Sequence, residues 1–252
     1  MEVTMKKLLV ILFVVLAGLF LFSCKSSTSP EDFDLVMEKD IIAIFSNYFE
    51  FEETFALVSV EESIASDVSL SVNGVAGDLY YSHPSEDGRM NYFFDVAYVE
   101  FGKSFNYVVK VGNEQYSGSI KHPDKYEPSF PDFDYNKDYT FNWSLASNPQ
   151  YQFVDYYLGG PSAGDWLEVE EDVDLKPSAR KHTIKKSVWG VLDSVSYIDV
   201  SLLAYNAKKH GSQCSVVAYS DAFYDAENWD KMKTHEGKLP KGAELILNRL
   251  NK

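Results

Sequence analysis

The segment Gly160-Pro161-Ser162-Ala163-Gly164 has the spacing of a nucleophile elbow, with Ser162 as the attacking residue. An elbow needs a buried strand before the serine and a helix after it, so that the turn exposes the hydroxyl. A strand pattern precedes Ser162, but residues 165–175 alternate as a second strand would, and no βαβ rhythm surrounds them. We therefore favour a loop between strands, and a serine hydrolase using Ser162 is the less favoured alternative. Its partners would come from the residues that follow in the chain: His182, His210, Asp193 and Asp199.

A second pattern suits a cation, because oxygen-bearing side chains alternate along the segment Asp132 to Asp138. Calcium prefers carboxylate and amide oxygens, and loops that bind it often begin with this spacing. The segment is not an EF-hand, since Lys137 stands where the loop glycine belongs and Trp143 where the last glutamate belongs. We favour a polar loop whose aromatic side chains point inward, and we keep calcium as an alternative. The candidate ligands are Asp132, Asp134, Asn136 and Asp138.

Other metal and cofactor chemistry has no support in the sequence. The five histidines are scattered, with no pair at ligand spacing and no cysteine nearby. Cys214 falls on the apolar side of an alternating strand pattern, which predicts a buried, inert thiol. We expect no cofactor and no enzymatic activity.

Cys24 follows a leader of the secretory kind. Lys6 and Lys7 precede an apolar run from Leu8 to Phe22, which is too short to span a bilayer comfortably. The ending Leu-Phe-Ser-Cys24 resembles the lipobox of bacterial lipoproteins, although Phe22 is bulkier than the usual residue. This resemblance implies that residues 1–23 are removed and that Cys24 is acylated, for example with palmitate. An ordinary cleaved signal peptide is the alternative.

The residues after Cys24 predict a tether and a compartment. The serine-rich stretch within residues 24–34 buries nothing, as expected of a flexible link between a lipid and a folded body. Lys25 in place of an aspartate resembles outer-membrane sorting in cells with two membranes. Removing residues 1–23 changes the net charge from −15 to −16, which argues against nucleic acid as a partner.

Exposed aromatic residues are a further kind of candidate binding site. Trp166, Tyr156 and Tyr157 could stack on sugar rings or on a protein partner, although core packing explains most aromatic residues in this chain. The acidic run over 168–174 predicts the exposed side of an edge strand, where like charges discourage pairing with another sheet.

The elements that position these residues read as strands almost throughout. Alternating apolar residues, with turn signals at Asn73-Gly74 and Gly112-Asn113, predict an all-β sandwich architecture. Residues 38–50 fit either a strand or a short helix. Three prolines between Pro123 and Pro131 place a domain boundary near 124–129. The prediction is one sandwich over 35–127 and a second over 128–225.

The second half resembles a fibronectin type III or related immunoglobulin-like domain over residues 128–223. Trp143 resembles the core tryptophan of an early strand, and Leu202 to Asn206 resembles the start of the last hairpin. Ile198 departs from the pattern, where the family usually has a tyrosine. The resemblance implies packing rather than chemistry.

The last segment, 226–252, contains apolar residues at helical spacing after Pro240. This pattern predicts a short amphipathic helix that packs on the second domain, with a partner-binding helix as the alternative. The sequence as a whole predicts a lipid-anchored, non-catalytic envelope protein that acts in adhesion or binds a protein or glycan ligand. A periplasmic assembly component is the second possibility.

Overall fold

The computed structural model describes residues 40–48, 53–85, 87–225 and 246, and its elements are strands connected by turns and two short 3₁₀ segments, Glu62–Ile64 and Lys186–Val188. The all-β class is confirmed, and residues 41–48 form a strand. The strands are β1 Ile41–Tyr48, β2 Glu53–Glu61, β3 Val68–Val72, β4 Val75–Ala76, β5 Asp78–Pro84, β6 Arg89–Val96, β7 Ser104–Val111, β8 Glu114–Lys121, β9 Glu127–Ser129, β10 Tyr139–Ser144, β11 Tyr151–Ser162, β12 Asp165–Leu175, β13 Lys181–Ile184, β14 Tyr197–His210 and β15 Cys214–Asp225.

One eight-stranded sheet runs through both halves of this part of the chain, in the order β12-β11-β14-β15-β1-β2-β6-β5. The halves join where β1 pairs in parallel with β15, from Ile41 opposite Cys214 to Ser46 opposite Tyr219. Two separate sandwich domains are therefore not supported. Where they pair, both strands are buried on their two faces, as expected in the middle of a sheet that is covered on both sides.

Two smaller sheets accompany the large one, and each forms a core with one half of it. The four-stranded sheet has the order β4-β3-β7-β8, and the three-stranded sheet has the order β13-β10-β9. The first core joins Ala43 and Val58 of the large sheet to Phe105 and Val109 of β7. The second joins strands β11 and β14 to β10. The predicted boundary thus separates two cores but does not divide the sheet that they share.

The proline-containing segment between these cores is held by hydrogen bonds to several strands and turns. The Asp124 carboxylate accepts a bond from the Ser147 amide at 2.6 Å, and the Ser220 hydroxyl donates to the Asp124 carbonyl at 2.8 Å. The Asn206 side chain donates to the Lys121 carbonyl at 2.7 Å. His122 is fully buried beside the Phe101 ring. Pro123 follows the end of β8, whereas Pro128 lies within the short edge strand β9, so this segment is not a loose linker.

The large sheet has a second face, opposite the two cores. Along its central strands this face is buried as well, at Ile42, Ile44, Leu57, Phe153 and Leu203. Exposed aromatic side chains occur instead at the outer strands, β12 and β5. The accessible chemistry of this face therefore lies at its two edges.

Several predictions concern residues outside the described ranges. Cys24, the leader, the tether and nearly all of the segment 226–252 belong to this group. Of residues 226–252 the structure describes Ile246 alone, which is buried. The C-terminal helix therefore stays a prediction. Within the described ranges, no helix has the length and apolar character needed to cross a membrane.

Candidate functional site

Ser162 lies at the end of β11, next to the turn that leads into β12. A strand follows it rather than a helix, so the local geometry is that of a hairpin and not of a nucleophile elbow. The Ser162 hydroxyl donates a hydrogen bond to the Val191 carbonyl at 2.7 Å, and the Ala163 amide donates to the Asp193 carboxylate at 3.0 Å. These bonds tie the hairpin to the loop before β14.

The two histidines considered as partners for Ser162 have other contacts. His182 lies against the Phe141 ring, with centroids 5.8 Å apart. His210 shares a hydrogen bond of 2.7 Å with the Tyr107 hydroxyl. The structure therefore does not assemble a serine triad from these residues.

The alternating acids of residues 132–138 pair with lysines rather than with one another. Asp134 forms a salt bridge with Lys137 at 2.8 Å, and Asp138 forms one with Lys185 at 2.9 Å. The hydrogen bond from Lys137 lowers the pKa of Asp134, and the bond from the Lys186 amide lowers the pKa of Asp138. Among the residues that the structure describes, no group of three metal-ligating side chains comes together.

The aromatic neighbours of those acids pack inward. The Phe133 ring meets Trp189 edge-on at 5.0 Å, and the Tyr135 hydroxyl donates to the Leu192 carbonyl at 2.7 Å. This matches the favoured interpretation of the segment as a polar loop. Cys214 is fully buried in the first core, as the strand pattern predicts.

The three candidate aromatic residues separate by face. Tyr156 is buried in the second core, whereas Tyr157 is half-buried and Trp166 is 55% exposed. Side chains alternate across a strand, so Tyr157 belongs to the second face of the sheet and Tyr156 to the core face. Tyr197 of β14 joins Tyr157 and Trp166 there. We call Tyr157, Trp166, Glu168 and Tyr197 the aromatic patch.

Sheet register brings the members of the aromatic patch together. Gly159 of β11 stands opposite Glu168 on one side and opposite Tyr197 on the other, and Pro161 stands opposite Trp166. A Cβ atom at Gly159 would lie 2.4 Å from the Tyr197 ring. The ring therefore lies over the glycine, and only the missing side chain leaves it that space.

The rings of the patch are nearly parallel. The Trp166 and Tyr197 centroids are 6.1 Å apart with planes inclined at 24°, and the Tyr157 and Tyr197 centroids are 5.4 Å apart with planes at 32°. Near-parallel, offset rings are a favoured arrangement of aromatic pairs. The rings do not converge on a common centre, as the rings of an aromatic cage do.

Glu168 holds the polar edges of these rings. Its Oε1 atom accepts hydrogen bonds from the Trp166 indole N–H and from the Tyr197 hydroxyl, both at 3.2 Å. Hydrogen bonds from Tyr157, Trp166 and Tyr197 lower the pKa of Glu168, so its carboxylate stays ionised at neutral pH. Burial and the hydrogen bond with Tyr157 raise the pKa of Tyr197. The ionised carboxylate of Glu168 thus holds the rings in place.

The surroundings of the patch are acidic. The exposed apolar residues Leu167 and Val191 lie toward the other face of the hairpin, where Leu167 stands opposite Gly160 and the Val191 carbonyl meets Ser162. Residues 151–175 contain no lysine or arginine, whereas β12 carries exposed carboxylates along most of its length. The arrangement can stack on a flat apolar surface and accept hydrogen bonds from it, and it repels anions.

Sequence reasoning found Trp166 and Tyr157 but missed Tyr197, Glu168 and Gly159. Glu168 appears in the sequence as one acid in an acidic run, and nothing marks it as a hydrogen-bond acceptor for aromatic rings. Tyr197 lies about thirty residues further along, and only the pairing of β11 with β14 brings it over Gly159.

A second exposed aromatic cluster lies at the other edge of the same face. His83 stacks between Tyr81 and Phe93, with centroid distances of 5.3 and 5.6 Å. Tyr80 beside it is 70% exposed. No carboxylate hydrogen-bonds to these rings in the part of the chain that the structure describes.

Comparison with known proteins identifies no family for this chain. No protein-family model matches the chain, and no curated protein matches it. Among solved structures, it is similar to the titin Ig tandem domains A164-A165, at 13% identity over 73% of this chain and 93% of that chain, with a TM-score of 0.21. A second titin structure, of A168169, matches at 10% identity over 73% and 96%, with a TM-score of 0.22. Scores this low carry no argument about function, and the immunoglobulin-like resemblance stays a prediction.

Proposed function

We propose that this chain is a lipid-anchored protein of the cell envelope that binds its ligand, without catalysis, through the aromatic patch. The leader and Cys24 support the anchor, and the serine-rich residues after it support a tether long enough to present the body away from the membrane. Outer-membrane sorting rests on Lys25 and belongs to the same proposal.

One observation carries the binding role, namely the exposure of Trp166 in a patch whose rings are already fixed. Trp166 is 55% exposed, so a large aromatic side chain stands in solvent next to Tyr197, and exposed apolar surface of this kind often marks an interaction site. Tryptophan and tyrosine contribute much of the energy at binding surfaces. Because Glu168 and Gly159 hold the rings, little side-chain freedom is lost when a ligand arrives.

The binding role is tested by sedimentation with isolated cell envelopes. Full-length protein kept in excess detergent should sediment with detergent-extracted envelopes, which offer the lipid anchor no bilayer, and the double variant W166A/Y197A should lose most of this binding. The matched control is Y80A, which removes an even more exposed aromatic side chain at the opposite edge and should bind normally. Equal binding by all three proteins would contradict the proposal.

The anchor is tested separately by metabolic labelling with palmitate. Wild-type protein should incorporate the label and fractionate with membranes, and C24S should do neither. Label incorporation by C24S would remove Cys24 as the attachment site without affecting the binding test.

A further inference from the structure

We infer that the ligand of the aromatic patch is an uncharged sugar chain. This inference rests on the proposed function and specifies its ligand. It depends on three properties of the patch: the orientation of its rings, the remaining acceptor capacity of Glu168 and the charge of its rim.

The ring orientation favours a flat ligand. Planes inclined by 24° and 32° are close to parallel, so the rings do not form the cage of converging faces that encloses a quaternary ammonium ligand. One side of a pyranose ring can present C–H bonds as a flat apolar surface, which stacks on an aromatic face. Consecutive sugars of a chain can therefore lie on Tyr157, Tyr197 and Trp166 in turn.

Glu168 supplies a partner for the hydroxyl groups at the rim of such a sugar. An ionised carboxylate has about four acceptor positions. Bonds from Trp166, Tyr197 and Tyr157 account for three of them. A further position can accept a sugar hydroxyl, and a hydrogen bond to an ionised acceptor is stronger than one between neutral groups.

The charge of the rim excludes anionic chains. Glu170, Asp172 and Asp174 are exposed along β12 on the same face as Trp166, and residues 151–175 contain no basic side chain to offset them. Phosphate-bearing, sulfated and uronic acid polymers would bring like charges together, and nucleic acid is disfavoured for the same reason. An uncharged chain meets no such repulsion.

The fluorescence emission of Trp166 reports binding. Of the tryptophans within the described ranges, Trp143 and Trp189 are buried and Trp166 is exposed. A sugar that stacks on Trp166 removes it from water and shifts its emission to shorter wavelength. The probes are maltohexaose, cellohexaose and chitohexaose, each titrated into full-length protein in detergent, with polygalacturonate as the anionic control.

We expect a saturable blue shift with at least one uncharged hexasaccharide, unchanged by about 0.5 M salt because no ion pair is involved. Polygalacturonate should give none. By isothermal calorimetry, W166A should weaken binding at least about tenfold, W166F should retain part of it, and E168Q should weaken it about threefold or more. Y80A should bind like the wild type.

Two results would overturn the inference. If no hexasaccharide shifts the emission while envelope binding still depends on Trp166, the ligand is not an uncharged sugar chain, although the binding function stands. If the shift occurs with oligolysine and salt abolishes it, the patch binds a cationic protein segment. Envelope binding that does not depend on Trp166 would instead contradict the proposed function itself.

Discussion

The two exposed aromatic clusters lie at opposite edges of one sheet face, and they are built differently. At the β12 edge, the rings of the aromatic patch share a carboxylate acceptor and one of them rests over a glycine. At the β5 edge, Tyr81, His83 and Phe93 stack on one another. The rings of both clusters are in contact with one another, and the difference is that hydrogen bonds to a carboxylate hold the first cluster as well.

The two edge strands also limit unwanted pairing in different ways. Strand β12 pairs regularly with β11 over eleven residues and carries acids that repel another sheet edge. Strand β5 has a register shift between Leu79 and Tyr81 and ends at Pro84, which cannot donate a backbone hydrogen bond. The pairing of β12 with β11 therefore stays in register along its whole length, whereas the pairing of β5 with β6 does not.

The largest expected effect on the β12 edge comes from G160A. A Cβ atom there would lie 2.0 Å from the Ser194 carbonyl oxygen, a backbone atom that cannot simply rotate away. We expect a loss of about 3 kcal/mol in the free energy of unfolding, measured by urea denaturation. The control is G190A in the same loop region, where the nearest atom is 3.5 Å away and stability should hardly change.

His122 should contribute less to the stability of the fold as the pH falls, over a range that lies above the one in which the aromatic patch titrates. Burial lowers the pKa of His122 from 6.5 to about 4, so the unfolded chain binds a proton more readily than the folded one. This contribution to stability is complete above about pH 6.5 and is lost progressively down to pH 4, by about 3 kcal/mol.

Comparison of wild type with H122F isolates this effect, since phenylalanine does not titrate in this range. The difference between their unfolding free energies should change between pH 6.5 and 4 and stay constant below pH 4. If the difference is independent of pH over that range, His122 is not the cause of acid destabilisation.

G159A should disturb the aromatic patch more than the fold. The atoms nearest the new Cβ belong to the end of the Tyr197 side chain, at 2.4 to 2.5 Å, and that side chain can turn away. We expect a loss of about 1 kcal/mol in stability together with a changed near-ultraviolet dichroism of the stacked rings. In a Y197A background the same change should alter neither, because the clash is absent.

The aromatic patch should itself titrate near the pKa of Glu168. Hydrogen bonds from the rings lower that pKa, so the stabilising contribution is present above the ordinary value of 4.5 and is lost as pH falls through the lowered value. Trp166 emission should change only in this acid range, and E168Q should abolish the transition. A transition that persists in E168Q would assign it to another group.

The smallest effect is expected at the other edge. Y81A removes a half-exposed ring from the stack with His83, and we expect a loss of less than about 0.5 kcal/mol. Trp166 emission and envelope binding should be unchanged. Loss of binding in this variant would mean that the two edges act as one surface.

Part of this architecture could be predicted from local patterns. Alternation in β3, β7 and β14 identifies strands, and Asn73-Gly74 identifies a turn that the structure contains. The parallel pairing of β1 with β15 could not be predicted, because it joins residues about 170 positions apart and has no local signal. For that reason the prolines near residues 124–129 indicate a domain boundary in the sequence, although the sheet continues past them.

The sequence by itself determined which residues alternate, and so the all-β class, the burial of Cys214 and the position of Trp166 on an exposed strand. These follow from side-chain polarity and the two-residue period of a strand, which act locally. Only the tertiary structure decided that Tyr197, Gly159 and Glu168 share one site. Strand register sets those contacts, and register depends on how distant strands bury their apolar faces together.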